Sequence, residues 1–154
     1  MKGKAFERII INKLASAFGL KPFNNKNKED WNIASTRAAS RTLDGQGVDI
    51  VCKVPPLCDY TIQITKRIVR TKEPTIPVAK LERICHFPNP VLIIGLYRKK
   101  KIERLIGIMV VTYSEKPGTP VKGWLPATVG IYTKEGVHYR VDTLEKMIDE
   151  WKTK

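Results

Sequence analysis

The sequence predicts one α/β domain spanning residues 1–154, with a central mixed β-sheet flanked by helices. The length of 154 residues suits a single continuous core. Apolar residues recur at helical spacing near both ends of the chain, and short β-branched runs bounded by proline, glycine or charge lie between them. The predicted order is helix, two or three strands, helix, two strands and helix. Sequential strands are usually neighbours, so these elements are expected to share one sheet.

The first helix is predicted over residues 3–18, where an apolar stripe ends just before Gly19, a residue typical of helix ends. The members of this stripe are Phe6, Ile9, Ile10, Leu14 and Ala17. Glu7 lies at the edge of the stripe and is a candidate functional acid. The alternative is a first-turn acid that interacts favourably with the helix dipole, which is a common use of glutamate.

A small, cationic segment follows a polar loop at residues 24–28 and contains Arg37, Ser40 and Arg41 next to two alanines. Phosphate contact requires close approach together with hydrogen-bond donors, and small residues beside Arg and Ser provide both. The segment therefore predicts phosphate binding, with an ordinary basic loop as the alternative.

Two apolar runs, Val48–Val51 and Tyr60–Thr65, predict an antiparallel strand pair joined by a proline-containing loop. Strand side chains alternate, so Asp49 and Gln63 point away from the apolar neighbours in their own strands. A buried aspartate requires a hydrogen-bonding or metal partner. The alternative is an aspartate close to a turn and an exposed glutamine.

The second half of the chain opens with a dense cationic run at residues 66–72. The remaining predicted elements, in chain order, are a helix of about three turns between Pro77 and Pro88, a hairpin of strands Val91–Tyr97 and Ile102–Val111, a short strand near Thr128–Tyr132 and a final amphipathic helix that begins near Asp142.

The charge balance favours a polyanionic partner, because 28 Lys and Arg residues face 15 Asp and Glu residues, for a net charge of +13. Nucleic acid ranks ahead of an anionic membrane, since no basic amphipathic helix of the membrane-surface type is present. The apolar runs are too short to span a bilayer, and the amino-terminal residues lack the apolar core of a signal peptide. No membrane partner is expected.

The cysteine pattern indicates a reducing compartment. Three cysteines without CxxC spacing predict free thiols and a cytoplasmic location, which for a phage-encoded protein is the cytosol of the host cell. A zinc site formed by Cys52, Cys58, Cys85 and His86 is disfavoured, because their spacing matches no common zinc motif.

The sequence contains no GxxxxGK(S/T), GxGxxG or GxSxG motif, so nucleotide hydrolysis and hydrolase chemistry lack support. The remaining constellation is Glu7, Asp49 and Gln63, followed by Lys66. A hard cation such as Mg²⁺ takes oxygen ligands at about 2.1 Å and usually few of them from protein. These three side chains supply such oxygens, and Lys66 is suited to orienting water or stabilising developing negative charge.

Four segments resemble the PD-(D/E)xK restriction-endonuclease-like nucleases, and among them most closely the archaeal and phage Holliday-junction resolvases. They are Gly3–Arg8, Arg37–Ser40, Gly47–Val51 and Ile62–Arg67. The resemblance extends over about the first 110 residues. It implies a restriction-endonuclease-like core and a metal-dependent endodeoxyribonuclease that uses Mg²⁺, with Mn²⁺ as a substitute. It also implies a homodimer acting on four-way or other branched DNA, because paired nicks on a two-fold symmetric substrate suit a two-fold symmetric enzyme.

The resemblance also implies roles for particular residues. Glu7, Asp49 and Gln63 occupy the positions of the metal ligands, and Lys66 is the candidate for the motif lysine. The residues expected to contact DNA are Arg8, Arg37, Ser40, Arg41 and Arg67. The chain departs from the family at the third motif, where Gln63 replaces an acid and Thr65 occupies the usual lysine position. A bulge near Thr65 would be needed to turn Lys66 toward the face of Gln63.

Two other functions remain open from sequence. One is an Mrr-like or restriction-type nuclease that cuts duplex DNA without a preference for junctions. The other is a catalytically inactive nuclease fold that only binds nucleic acid, which the substitution at Gln63 and the displaced Lys66 would explain. Metal-dependent cleavage separates the inactive binder from both nucleases.

Overall fold

The computed structural model describes residues 2–70 and 73–153, without the side chains of residues 2 and 3. The helices are α1 (Lys2–Phe18), α2 (Thr36–Ala39), α3 (Arg41–Gly45), α4 (Ala79–Arg83) and α5 (Leu144–Lys152). The strands are β1 (Ile33–Ser35), β2 (Ile50–Cys52), β3 (Thr61–Ile68), β4 (Thr75–Ile76), β5 (Pro90–Lys99), β6 (Glu103–Tyr113), β7 (Thr119–Pro120), β8 (Leu125–Pro126), β9 (Gly130–Lys134) and β10 (Val137–Thr143). A single 3₁₀ turn, Leu57–Asp59, separates β2 from β3. Residues 71 and 72, at the end of the cationic run, lie outside the described part of the chain.

Eight of these strands form one mixed sheet in the order β1-β2-β3-β5-β6-β10-β9-β7. β3 and β5 are parallel, as are β7 and β9, and the other neighbouring pairs are antiparallel. β4 and β8 form a separate two-stranded antiparallel ribbon. The α/β class and the mixed central sheet with a few flanking helices are therefore confirmed.

The sheet has an apolar cluster on each face. On one face, α1 and α5 contribute Phe6, Ile10 and Trp151, all essentially inaccessible to solvent. On the other, α4 and the β4–β8 ribbon contribute Leu81 and Leu125, which are equally buried. These clusters fix α1 and α4 on opposite sides of β3, so both helices can present polar residues at its edge.

Gly95 allows α1 to approach the sheet closely. A Cβ atom at Gly95 would lie 2.6 Å from ring carbons of Phe6, well inside van der Waals contact. The Phe6 ring therefore lies against the bare backbone of β5 and meets Tyr97 edge-on, with 5.9 Å between the ring centroids. This packing sets the height of α1 and, with it, the position of the next residue, Glu7.

Several elements differ from the sequence-based expectation. The short helices α2 and α3 and the short strands β4, β7 and β8 were not predicted. α4 has only five residues, because the chain tightens into i→i+3 turns from Ile84 onward, ahead of Pro88. The strand Val137–Thr143 was also missed, although its apolar and polar residues alternate as in a half-buried strand. The last helix is capped by Thr143, whose hydroxyl accepts a hydrogen bond from the Lys146 N–H.

No helix in the described ranges is both long and apolar enough to cross a membrane.

Candidate active-site cleft

A cleft of about 390 Å³ lies at the edge of β3, where β2 diverges from it. The two strands share a single register pair, Ile50 with Ile62, so the rest of this β3 edge is open toward the cleft. Its lining residues are Phe6, Glu7, Arg37, Asp44, Asp49, Gln63, Ile64, Thr65, Lys66 and Lys80. The structure thus brings together the four residues singled out as catalytic from sequence.

Asp49 replaces part of the missing strand pairing with its side chain. Its backbone N–H donates to the Ile62 carbonyl at 2.8 Å, and its Oδ2 accepts a hydrogen bond from the Ile64 N–H at 2.7 Å. The same oxygen accepts a hydrogen bond from Gln63 Nε2 at 2.8 Å. Burial raises the pKa of Asp49 above its ordinary value, although the Ile64 N–H acts in the opposite direction.

Glu7 reaches the cleft from α1 with a side chain that is only 12% exposed. Its Oε2 accepts a hydrogen bond from Arg37 Nη2 at 2.6 Å. Burial raises the pKa of Glu7, the Arg37 guanidinium lowers it, and the nearby Asp49 carboxylate raises it again. Two carboxylates held close together in a partly buried cleft make binding of a proton or a cation favourable.

Gln63 is 6% exposed, and its two polar side-chain atoms differ in hydrogen bonding. Its Nε2 donates to Asp49 Oδ2 and to the Ile64 carbonyl, at 2.8 and 3.2 Å. Its Oε1 is buried without a hydrogen-bond partner among the described residues. A Cβ at Gly47 would lie 2.9 Å from this oxygen, and Gly47 has a φ of +90°, so both space and backbone conformation require glycine there.

The donor atoms that line the cleft are of the kind that magnesium takes. Two carboxylates, Glu7 and Asp49, line it together with the Gln63 amide, and Mg²⁺ is usually held by one or two carboxylates while it retains several waters. The amide presents its nitrogen to Asp49, and its oxygen, unpartnered among the described residues, lies beside Gly47. Within residues 2–70 and 73–153, no group of three or more His, Cys, Asp or Glu side chains is placed to hold a metal. Any metal here would therefore depend on two acids and one amide.

Lys66 lies on the α1 face of β3, opposite to the face that carries Gln63 and Thr65. The β3–β5 pairing continues in unbroken register from Thr61 to Ile68, so the bulge that would be needed near Thr65 is absent. The reason is that full pairing with β5 holds the strand regular. Lys66 still lines the cleft, since the cleft opens across the strand edge, but its ammonium forms an ion pair with Glu103 and lies 4.4 Å from the Tyr97 ring centroid.

Two lining residues were missed by sequence reasoning. Lys80, on α4, approaches from the face of Gln63 and Thr65, and its positive charge lowers the pKa of Asp49. Asp44, in α3, accepts a hydrogen bond from Thr36 Oγ1 at 3.3 Å. Neither residue belongs to a local motif, and only the packing of short helices on the sheet brings them here.

The residues predicted to contact DNA lie at several places around the cleft. Arg8 and Arg37 line a neighbouring cavity of about 520 Å³ along α1. Ser40 caps α3, since its Oγ accepts a hydrogen bond from the Leu43 N–H, and Arg41 is exposed in the first turn of that helix. Arg67 lies on the Gln63 face of β3, where its guanidinium stacks on Trp124. Only Arg37 of this set lines the cleft itself.

No protein-family model, curated protein or solved structure matches this chain. The cleft and the charge around it are therefore the features from which a function can be inferred.

Proposed function

We propose that this protein is a Mg²⁺-dependent, structure-selective DNA endonuclease with a restriction-endonuclease-like core, and that it resolves Holliday junctions as a homodimer. The observation that carries the proposal is the convergence of Glu7 from α1, Asp49 from the residue before β2 and Gln63 from β3 on one cleft beside the β3 edge. Their order along the chain matches that of the resembled nucleases, and the net charge of +13 suits a DNA partner.

In this proposal Glu7, Asp49 and Gln63 hold Mg²⁺, with Mn²⁺ as a substitute. The bound ion would supply positive charge next to the scissile phosphate and make water easier to deprotonate. Burial raises the pKa of both carboxyls, so a nearby cation would stabilise their ionised forms. Gln63 contributes an oxygen once its amide rotates, because rotation exchanges the positions of Nε2 and Oε1.

The cationic side chains of the cleft have separate roles. Lys66 and Lys80 line the cleft from opposite faces of the sheet. In this proposal the Lys66 ammonium leaves its ion pair with Glu103 when DNA binds, and both lysines stabilise charge that develops on the phosphate. Arg37 holds Glu7 in place through their ion pair. When DNA binds, a phosphate competes with Glu7 for the same guanidinium, which is a good bidentate phosphate partner.

DNA binding is proposed to extend from the cleft along the basic surfaces on either side. Arg8 and Arg41, both exposed, lie on the α1 and α3 side, and Arg67 lies further along β3. Contacts of this kind are mainly to phosphates and position the backbone without reading sequence. Recognition by shape is what a nuclease for branched DNA requires.

A second candidate function is nucleic-acid binding without catalysis. Gln63 carries no charge where the resembled enzymes have an acid, and Arg37 already compensates Glu7 at 2.6 Å. Asp49 would then be the one carboxylate of the proposed ligand set without an arginine partner. This arrangement would bind phosphate while holding a metal only weakly.

The experiment that tests the proposal uses a labelled four-way junction and a fully paired duplex of the same sequence and length. Each is incubated with the protein in Mg²⁺, in Mn²⁺ and in excess chelator. Paired nicks in the junction that appear only with metal support the proposal. Equal cleavage of the duplex would favour a restriction-type enzyme, and binding without metal-dependent cleavage would favour the inactive binder.

A further inference from the structure

We propose that Trp124 and Arg67 form a stacking platform for an unpaired DNA base, and that this platform selects branched over fully paired DNA. The inference rests on the proposed nuclease function and specifies how its substrate is recognised. The guanidinium of Arg67 lies over the Trp124 ring, 4.0 Å from its centroid, in a cation–π contact. Trp124 nevertheless remains 52% exposed.

The loop that carries Trp124 is held firmly against the domain. The next residue, Leu125, is fully buried and pairs with Ile76 in the β4–β8 ribbon. On the far side, the Ala127 N–H donates to the Pro74 carbonyl at 2.9 Å. Successive strand residues point to opposite faces, so burial of Leu125 directs Trp124 toward solvent. An exposed indole on a fixed loop has little conformational entropy to lose when it binds a ligand.

The three tryptophans have different environments, and Trp124 is the one suited to a ligand. Trp151 is 1% exposed and belongs to the core. Trp31 is partly buried between Phe23, which meets it edge-on, and Lys53, whose ammonium lies over its ring. Arg67 supports Trp124 from one side, and more than half of the residue remains accessible.

The platform adjoins the candidate active site. A cavity of about 430 Å³ extends along residues 66–70 and 73–75, and Lys66 lines both this cavity and the active-site cleft. Gln63 and Arg67 lie on the same face of β3, four residues apart, which corresponds to roughly 13 Å along the strand. Arg70, exposed at the same end, is available for a phosphate. A strand with its phosphate in the cleft would therefore reach Trp124 within a few nucleotides.

The chemistry of the platform favours a base that has left the duplex stack. An aromatic face binds any base through stacking, and a guanidinium on the opposite side of the ring adds to the attraction. In a continuous duplex both faces of each base are already covered, whereas a single-stranded flap, or a branch point whose arms have unstacked, exposes base faces. The platform should thus prefer branched or flapped DNA without a preference for sequence.

The test is DNA binding measured in chelator by fluorescence anisotropy, so that cleavage does not interfere. The probes are a duplex with a three-nucleotide single-stranded flap, the same flap with abasic sites, and the fully paired duplex. Trp124→Ala should weaken binding to the normal flap by roughly tenfold or more and change duplex binding less than about twofold. Trp124→Phe should retain most of the affinity. The parent protein should bind the abasic flap more weakly than the normal flap. Trp124→Ala should bind the two flaps with equal affinity.

The matched control is Val129→Ala, because Val129 is an apolar side chain of the same region with 51% exposure. It should leave all three affinities unchanged. Arg67→Lys, which keeps the charge and removes the planar stack, should reduce flap binding more than duplex binding. Thermal unfolding of each variant shows that the folded state is retained.

Equal losses on flap and duplex, or abasic sites without effect on the parent, would overturn the platform. The cleavage assay decides the proposed nuclease function independently of these binding measurements. A protein that cuts junctions with Mg²⁺ but shows no flap preference retains the proposed function and loses the platform. A protein that prefers the flap but never cuts retains the platform and loses the nuclease, and a protein that binds none of the probes loses both.

Discussion

Asp49 and Gln63, fourteen residues apart in the chain, are joined by a hydrogen bond of 2.8 Å from the amide Nε2 to the carboxylate Oδ2. The bond orients the amide nitrogen toward the acid and leaves the amide oxygen buried without a partner among the described residues. This arrangement satisfies the carboxylate in the absence of a cation. A cation bound between Asp49 and Gln63 would favour the opposite orientation of the Gln63 amide, with its oxygen directed at the cation.

Gln63→Glu should make the metal-free protein less stable and the metal-bound protein more stable. A second carboxylate beside Asp49 adds repulsion in a partly buried site, and the same charge attracts Mg²⁺. We expect a lower melting temperature in chelator, a larger increase on adding Mg²⁺, and tighter binding by calorimetry. Gln63→Ala should weaken Mg²⁺ binding. If Gln63→Glu leaves the affinity for Mg²⁺ unchanged, Gln63 does not face the metal.

The affinity for Mg²⁺ should rise with pH, over a pH range that begins above the ordinary pKa values of Asp and Glu. Burial raises the pKa of Glu7 above 4.5 and that of Asp49 above 3.8, so both keep their protons to higher pH than in the unfolded chain. Metal binds the deprotonated forms and must displace these protons. Calorimetry across mildly acidic to neutral pH should show this rise, and Glu7→Gln should flatten it. An affinity independent of pH throughout this range would contradict the assignment.

In chelator, the free energy of unfolding should fall as the pH rises, whereas the affinity for Mg²⁺ increases. A carboxyl whose pKa is raised by folding binds more protons in the folded state than in the unfolded state between the two values. The free energy of unfolding contributed by Glu7 and Asp49 therefore falls as the pH rises from the ordinary to the raised pKa. Urea unfolding in chelator, compared between the parent and Glu7→Gln, checks the sign.

The lysine of the cleft can be assigned by single-turnover rates at saturating Mg²⁺ and junction. Lys66→Ala should lower the rate by about a hundredfold, on the scale of a lost transition-state stabiliser, with little change in binding. Lys80→Ala should lower it by roughly tenfold, because Lys80 is exposed and its charge acts through more solvent. A parent-like rate for Lys66→Ala together with a large loss for Lys80→Ala would transfer the role to α4.

Gly95→Ala should reduce the free energy of unfolding by about 1–3 kcal/mol, the usual range for overpacking. A methyl group there meets the Phe6 ring at 2.6 Å and forces α1 away from the sheet. Because Glu7 follows Phe6, cleavage should fall more than the stability loss explains. Gly107→Ala is the control on the adjacent strand, since its Cβ would meet only Leu96 at 3.9 Å. Equal effects of the two substitutions on stability and cleavage would refute this role for Gly95.

Sequence reasoning predicted the parts of the site that depend on local pattern. The helical stripe around Phe6 placed Glu7 at its edge, and alternation in two short strands singled out Asp49 and Gln63. Which face of β3 carries Lys66 depends on whether the strand bulges. The pairing of β3 with β5 decides this, and the residues of β3 alone do not. Lys80 reaches the cleft because the five-residue helix α4 packs onto the sheet, so no local motif predicts its position.

Two other features escaped prediction, for different reasons. In β10, His138, Arg140 and Asp142 alternate with apolar residues, which is the pattern of a half-buried strand, so this element was predictable from the sequence. Trp124 is directed outward only because Leu125 beside it is buried against a distant segment. Long-range packing determines the direction of Trp124, and a single sequence contains no direct signal for it.

The most direct test of the central claim is the single-turnover cleavage of a four-way junction in Mg²⁺ by Asp49→Asn. Asp30→Asn is the matched control, because that carboxylate is 78% exposed in the ion pair with Lys21 and does not line the cleft. The account predicts that Asp49→Asn loses at least about a hundredfold in rate, binds the junction as tightly as the parent or tighter, and that Asp30→Asn cuts normally. Cleavage by Asp49→Asn at the parent rate would contradict it.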